Sequence, residues 1–397
     1  VTLTTRPLQH GDGQAMGQLL AASSLRDHAD WRQGRLYGDM GVMVLDGNDP
    51  VAGIMLQRDS LWLGGEVVRT ARPVAAGVRS GASIQTMLAC RTAMADAWRE
   101  CDTPLIVKGG VVRDSLNELL GFAPHLLGWE VCLRFSSPGP GRPAGIRRAT
   151  PADLPALEAL YTARARGFAA AAVRSSQQWQ QDFWADFTVD GARELLIAEG
   201  PAGIDGYLAL RPGSPTGEAG IMVTEWVDRT PSAFQRLWAC LHHLASDRLP
   251  VTLPPLPPDR PVMALLPPQA DMRPIRSLLL RPGLPDRFWP FVHCRPGQGE
   301  LCLAVRDPVG LWPERSLLQW ADGRVTGRAT TASPSIRLDV GTLGLLAFGA
   351  LTVDEALRLR LAEGSPDSLA ALAGLFLAQP IHRFPADSRV GKPFRQW

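Results

Sequence analysis

The sequence predicts an α/β chain built on a diverged internal duplication and closed by a separate α+β unit. Three observations carry this. A stretch from Arg6 to Asp12 that opens a helix is repeated as Arg147 to Asp153, and each copy continues into a hairpin. The run Ser136-Ser137-Pro138-Gly139-Pro140-Gly141-Arg142-Pro143 between the copies is a turn-and-linker signal. From about Trp289 the texture changes to short β-rich runs followed by two helices. A length of 397 residues agrees, since about 150 residues per domain gives two or three domains.

In the first copy the opening helix runs through Met16, Leu19 and Leu20. A hairpin follows, with strands Val42–Leu45 and Val51–Leu56 around the turn Asp46-Gly47-Asn48. Val67–Ala71 reads as a strand, Gly77–Gly81 as a loop, and Ala82–Trp98 as a helix, because Ile84, Met87, Leu88, Met94 and Trp98 recur at helical spacing. In the second copy the helix runs through Leu157 and Leu160, and the hairpin strands are Leu195–Ala198 and Ile204–Leu210. The offset between copies grows from 141 residues (Asp12 to Asp153) to 153 (Gly53 to Gly206), so the second copy carries about a dozen extra residues before its hairpin. Leu253-Pro254-Pro255-Leu256-Pro257-Pro258 cannot lie inside a helix or a central strand and is expected to be a loop. The third unit has strands Glu300–Val305 and Ser316–Trp320, a turn at Asp322-Gly323, and helices Val340–Phe348 and Asp367–Leu377.

Composition excludes several classes. With 45% hydrophobic and 20% charged residues the chain is globular rather than disordered. The 41 basic and 39 acidic residues leave a net charge of +2, so no global field selects a nucleic acid. Val1 to Gly13 lacks the basic-then-apolar pattern of a secretory leader. The apolar stretch Val340–Val353 falls short of the ~20 residues a membrane-spanning helix needs. Cys90, Cys101, Cys132, Cys240, Cys294 and Cys302 form no Cys-x-x-Cys pair, and His242-His243 has no acidic or cysteine partner nearby, so no metal is expected. Reduced thiols and a cytoplasmic location are the expectation.

The segment Glu66–Trp129 carries the most chemistry. A strand, a Gly/Ser loop and a helix make an anion-binding arrangement, because first-turn N–H groups and the positive end of the helix dipole can hold a diphosphate. Gly81 would let the backbone approach, Arg79 would add charge, and Ser80, Ala82 and Ser83 complete the turn. A packed βα unit with no ligand reads the same way.

The whole pattern resembles the GNAT acetyltransferases of the enhanced-intracellular-survival (Eis) type. The resemblance is carried by Ile146-Arg147-Arg148-Ala149-Thr150-Pro151-Ala152-Asp153-Leu154-Pro155-Ala156-Leu157 at the second start, and by Leu338-Asp339-Val340-Gly341-Thr342-Leu343-Gly344, close to the family's Asp-Val-x-x-Leu-Gly signature. It covers nearly the entire chain. It implies tandem GNAT domains, mixed central sheets flanked by helices, at 1–137 and 144–288, and a sterol-carrier-like α+β domain with a C-terminal tail at 289–397. The first domain would be catalytic and the second degenerate. Acetyl-CoA would donate an acetyl group to an amine such as an aminoglycoside or polyamine. The subunits would assemble as a homo-oligomer, a hexamer in the family. The third domain would place the C-terminus and make subunit contacts rather than carry lipid.

By the same resemblance Ala71, Pro73, Arg79, Ser80, Gly81, Ala82 and Ser83 would bind the cofactor. Three positions depart from the family pattern. Val78 stands where an Arg or Gln precedes the central glycine. Pro73 falls where a strand N–H would face the thioester, and proline has none. Asn117 takes the place of the tyrosine that protonates the departing thiolate, leaving Ser115, Tyr37 or a water as substitute acid. The family uses its C-terminal carboxylate as base, and this chain ends in Trp397. Asp27, Asp30 and Trp31, with Asp39 nearby, lie where the family's acceptor pocket is lined, and carboxylates beside an aromatic face suit a cationic amine. Two readings follow: an acetyl-CoA-dependent N-acetyltransferase, or a catalytically degenerate member that serves as a ligand-binding or scaffold protein.

Overall fold

The computed structural model describes residues 3–23, 40–109, 120–125, 128–135, 141, 143–184, 187, 193–213, 219–245, 249–254, 266, 270–275, 278–377 and 381. The chain forms two compact units. One comprises Val1–His125 with Ser277–Gln379, the other Leu126–Arg276 with Pro380–Trp397.

The first unit opens with β1 (Leu3–Pro7), and the helix Gly13–Ser23 follows a single 3₁₀ turn. The expected hairpin is β2 (Met40–Asp46) and β3 (Asp49–Leu63), and β3 turns at Gly64-Gly65 into β4 (Glu66–Val78). These strands form one antiparallel sheet in chain order. Met16 and Leu19 of the helix pack on Met43 and Met55 of the sheet, giving this half an apolar core. The helix Ile84–Glu100 then leads to β5 (Leu105–Gly109) and β6 (Ala123–His125).

The second unit is a seven-stranded sheet built from β7 (Gly128–Leu133), β8 (Ile146–Arg148), β9 (Glu194–Gly200), β10 (Gly203–Pro212), β11 (Ile221–Asp228), β12 (Val251–Leu253) and β13 (Asp271–Ile275). Their order is β13-β7-β12-β11-β10-β9-β8. β11 and β12 run parallel, joined by the amphipathic helix Pro231–Leu244, whose Phe234, Leu237 and Leu241 are buried against the sheet. The helix Leu154–Ala165 buries Leu157, Leu160 and Tyr161.

Chain order and packing part company at two strands. β7 precedes the Ser136–Pro143 linker yet pairs with β12 and β13 of the second unit. β14 (Leu278–Pro282) precedes Trp289 yet is the central strand between β5 and β6 of the first unit. The physical reason is that both are short apolar strands which satisfy their backbone only by entering an open ladder, and the nearest ladder in space is not the nearest in sequence.

The remainder of the first unit is the α+β part, with β15 (Gln298–Arg306), β16 (Arg315–Ala321), β17 (Arg324–Ala329), β18 (Ile336–Asp339) and β19 (Ala362–Gly364) in the order β17-β16-β15-β18-β19. The Asp322-Gly323 turn joins β16 and β17 as expected. The expected helices are Val340–Ala347 and Pro366–Leu375, and a short helix at Val353–Arg358 lies between them. Phe288, Trp289, Trp312 and Phe348 meet edge to face at centroid separations of 5.2 to 5.9 Å and fill this part's interior.

The helix Val340–Ala347 carries the Asp-Val-x-x-Leu-Gly-like signature and is buried along its whole length. Its Gly341 has a packing reason: an added Cβ would stand 2.8 Å from the Ala123 amide nitrogen and 3.0 Å from the Gly121 carbonyl. The residue preceding the helix, Asp339, accepts from Arg306 Nε at 2.5 Å and Nη2 at 2.8 Å.

Candidate cofactor-binding site

The site is framed by β4, the loop after it and the helix Ile84–Glu100. β4 pairs regularly with β3 until Leu56↔Pro73, and the next pair is Met55↔Ala75, so Val74 is unopposed and the strand bulges there. A buried Pro73 beside the bulge is what the missing N–H allows, because proline cannot serve a regular central ladder. The sequence reading ended this strand at Ala71 and began the loop at Gly77, whereas β4 runs through Pro73 to Val78.

The other edge of β4 enters no ladder with β5. Side chains link the two strands instead. Thr70 Oγ1 donates to the Leu105 carbonyl at 2.7 Å, and Trp98 Nε1 donates to the Ala71 carbonyl at 3.1 Å. Ala71, placed among the cofactor residues by resemblance, is therefore fully buried with its carbonyl taken by an indole. Trp98 is itself packed edge-on against Phe122 and beneath the guanidinium of Arg281, 5.2 Å from the ring centroid.

Arg281 is the one charge in the run Leu278-Leu279-Leu280-Arg281-Pro282, and it is completely buried. It donates to both Asp307 carboxylate oxygens at 3.0 Å and to the Leu120 carbonyl at 2.5 Å. Asp307 also accepts the Val309, Leu311 and Trp312 amides. Burial pushes the Arg281 guanidinium pKa down, and the neighbouring Asp307 carboxylate opposes that shift. Sequence reasoning missed both Arg281 and the Trp98 indole. The signal that could have found Arg281 is its position as a lone cation in an apolar strand.

The loop itself is short and open. The Arg79 amide donates to the Val51 carbonyl at 2.9 Å, and its guanidinium to the Pro50 carbonyl at 2.8 Å. The Ala82 amide closes a turn on the Arg79 carbonyl at 3.1 Å. Gly81 has φ +78°, a left-handed conformation that a side-chain-bearing residue adopts only at a cost, and an added Cβ there would meet nothing within 4 Å. The space above this backbone is thus open. Ser83 caps the helix, its Oγ accepting from the Thr86 amide at 3.3 Å. Arg79, Ser80, Gly81 and Ser83 are exposed and Ala82 is half-buried. First-turn amides of a helix have no intrahelical acceptor, so this loop presents N–H groups and a dipole end to an anion. The donor set fits a diphosphate.

In the second unit, the loop that leads from β11 into a helix has a different chemistry. Between β11 and the helix Pro231–Leu244 it reads Val227-Asp228-Arg229-Thr230-Pro231, with no glycine and with a first helical residue that lacks an N–H. Asp205 and Asp228 are buried there, and Arg229 pairs with Asp205.

Asp27, Asp30, Trp31, Tyr37, Asp39, Ser115, Asn117 and Trp397 lie outside the described residues. His242 stacks on Phe135 at a centroid distance of 4.3 Å. Among the described residues no group of three His, Cys, Asp or Glu side chains could hold a metal, and no helix is long and apolar enough to cross a membrane.

This architecture shares its fold with solved N-acetyltransferase structures, and two segments of the chain match family models. A family model described as an acetyltransferase (GNAT) domain matches residues 170–282, and one described as a sterol carrier protein domain matches residues 288–382. The chain superimposes on a conserved protein of unknown function from Enterococcus faecalis V583, described as a probable N-acyltransferase, with TM-score 0.79 and 14% identity over 96% of this chain and 99% of that one. A GCN5-related N-acetyltransferase from Anabaena variabilis ATCC 29413 gives TM-score 0.76 and 17% identity over 96% and 99%. Eis1 from Mycobacterium abscessus gives 0.71 and 18%, again over 96% and 99%. No curated protein matches the chain. At these identities the likeness is one of fold.

Proposed function

We propose that the chain is an Eis-like, acetyl-CoA-dependent N-acetyltransferase with tandem GNAT domains at 1–137 and 144–288 and a sterol-carrier-like domain with its tail at 289–397. The observation that carries this is the open Arg79–Ser83 loop after the bulged β4, with left-handed Gly81 and a Ser83-capped helix. The tandem reading is supported by a repeated helix start. Arg6 grips Asp12 with both nitrogens at 2.6 and 2.7 Å while Asp12 caps the Gln9 amide at 2.7 Å. Arg147 grips Asp153 at 2.8 Å twice while Asp153 caps the Thr150 amide at 2.7 Å.

In this reading Arg79, Ser80, Gly81, Ala82 and Ser83 hold the diphosphate of acetyl-CoA, and the β4 segment from Ala71 to Pro73, ahead of the bulge at Val74, faces its acyl arm. Asp27, Asp30 and Trp31 receive the cationic amine, of aminoglycoside or polyamine type. The Trp397 carboxylate takes the proton that the attacking amine releases. The thiolate leaves without the family's tyrosine, since Asn117 is no acid, and Tyr37, Ser115 or a water supplies the proton. A cytoplasmic homo-oligomer completes the proposal.

Acetyl-CoA titrated into the full-length protein in a calorimeter tests the cofactor site. Micromolar binding that Gly81→Glu removes is expected, because a carboxylate at that position opposes the diphosphate. Absence of binding by the wild-type chain would overturn the enzyme reading. It would favour the degenerate scaffold, which the buried Pro73 and the occupied Ala71 carbonyl support.

A further inference from the structure

The second unit buries an ion pair that acetyl transfer as proposed does not use. Glu225 is 0% exposed and lies on β11 next to the bulge formed where Ala209↔Glu225 gives way to Leu210↔Val223. Both its oxygens face Arg174, with Arg174 Nη1 donating to Oε1 at 2.9 Å and Nη2 pairing with Oε2. The hydroxyl of Tyr207 donates to the same Oε1 at 2.5 Å. The Arg174 guanidinium lies over the Tyr161 ring at 3.9 Å and over Trp179 at 5.1 Å. Removing two charges from water is costly, and replacing such a pair with apolar groups is often neutral for stability. What the pair fixes therefore matters more than what it adds to stability.

Arg174 ends a segment that leaves the helix Leu154–Ala165 without regular structure. Within it Ala170 is buried with φ +72°, a left-handed conformation that persists for an alanine only when its surroundings over-determine it. The Tyr161 hydroxyl donates to the Ala172 carbonyl at 2.8 Å, holding the segment from the other side. Its neighbour Ala169 forms a parallel bridge with Ile381, which is 6% exposed. Ile381 is the residue after which positions 382–397 follow.

We infer that Arg174 and Glu225 are positioning residues that hold the seat of Ile381, the residue that heads the C-terminal tail. Any consequence for turnover rests on the proposal that Trp397 is the base.

Limited trypsin digestion of the full-length protein separates the two ideas. Arg383, Arg389 and Arg395 lie beyond Ile381, and release of the tail is read by mass spectrometry relative to cleavage elsewhere in the chain. Glu225→Gln removes the carboxylate charge that faces Arg174, and Ile381→Ala empties the seat. Each is expected to speed tail release about tenfold over other cuts, since cleavage tracks the population of the locally open form. Should Glu225→Gln fail to fold, Tyr207→Phe removes the hydroxyl that donates to Glu225 and is expected to act in the same direction by about threefold. Release from the Glu225 or Tyr207 variant at the wild-type rate overturns the inference, as does uniform acceleration of every cut. Faster release with a lower kcat at unchanged acetyl-CoA KM supports both the seat and the Trp397 base. Faster release with turnover unchanged, or with no turnover in any sample, keeps the seat and removes support for that base.

Discussion

Asp153 shows how one side chain serves two local needs. It caps the Thr150 amide and is gripped by Arg147, so the guanidinium hydrogen bonds hold its carboxyl pKa well below the usual carboxylate value. Asp12 is lowered in the same direction, chiefly by Arg6. A depressed folded-state pKa means stability present above the unfolded value of about 3.9 and lost as pH falls towards the folded one. Asp153→Ala should therefore cost about 1 kcal/mol at pH 7, and the gap between variant and wild type in urea unfolding should narrow below pH 4. A gap that is constant with pH would contradict this account. Arg281 presents the opposite situation, a cation with no exposure whose partner Asp307 is equally buried. Arg281→Met should cost roughly 3 kcal/mol in chemical denaturation, because it leaves the carboxylate in the interior without its cation. A loss under ~1 kcal/mol would mean that the Val309, Leu311 and Trp312 amides satisfy Asp307 unaided.

Elements were legible where their cause is local. The Asp46-Gly47-Asn48 and Asp322-Gly323 turns announce their hairpins, and the apolar spacing through Trp98 announces its helix, because turn geometry and helical period are written in adjacent residues. The course of β4 was not legible past Ala71, since proline reads as a strand breaker and only the bulge at Val74 makes it tolerable. The Arg79–Ser83 loop proposed for the cofactor was visible as a glycine loop before a helix, but the Trp98 indole on the Ala71 carbonyl depends on packing across 27 residues and leaves no local mark. The helix Val340–Ala347 gives a test in which local and packing terms disagree. Helix propensity favours Gly341→Ala by up to about 1 kcal/mol. The new methyl, however, would press on Ala123 and on the Gly121 carbonyl at 3.0 Å or less, and such overpacking costs about 1–3 kcal/mol. Packing should win, and the variant should melt at a lower temperature than the wild type. A higher melting temperature would show that the contact relaxes freely.

At the scale of the whole chain, the two exchanged strands decide what can fold alone. Their pairing was not readable from sequence, because Leu278–Pro282 is an apolar run like any other and nothing within it names β5 and β6 as partners. Yet Leu105 and Ile106 of β5, and Leu279 and Leu280 of β14, are all at most 1% exposed. A fragment ending at residue 137 would keep β5 and β6 but lose the strand between them. It would present two unpaired edges and this apolar surface to water, a combination that favours aggregation. Fragment 1–137 expressed alone is therefore expected to lack a cooperative thermal transition by circular dichroism. Co-expressed with 138–397, which supplies β14, it should be recovered as a soluble complex with native-like melting. A monomeric 1–137 that unfolds cooperatively would show the first GNAT-like sheet to be self-sufficient. Folding should be slow for the same reason, since β5 cannot close its ladder until a strand some 170 residues later in the sequence arrives, and contacts so distant carry a large loop-closure cost before they stabilise anything.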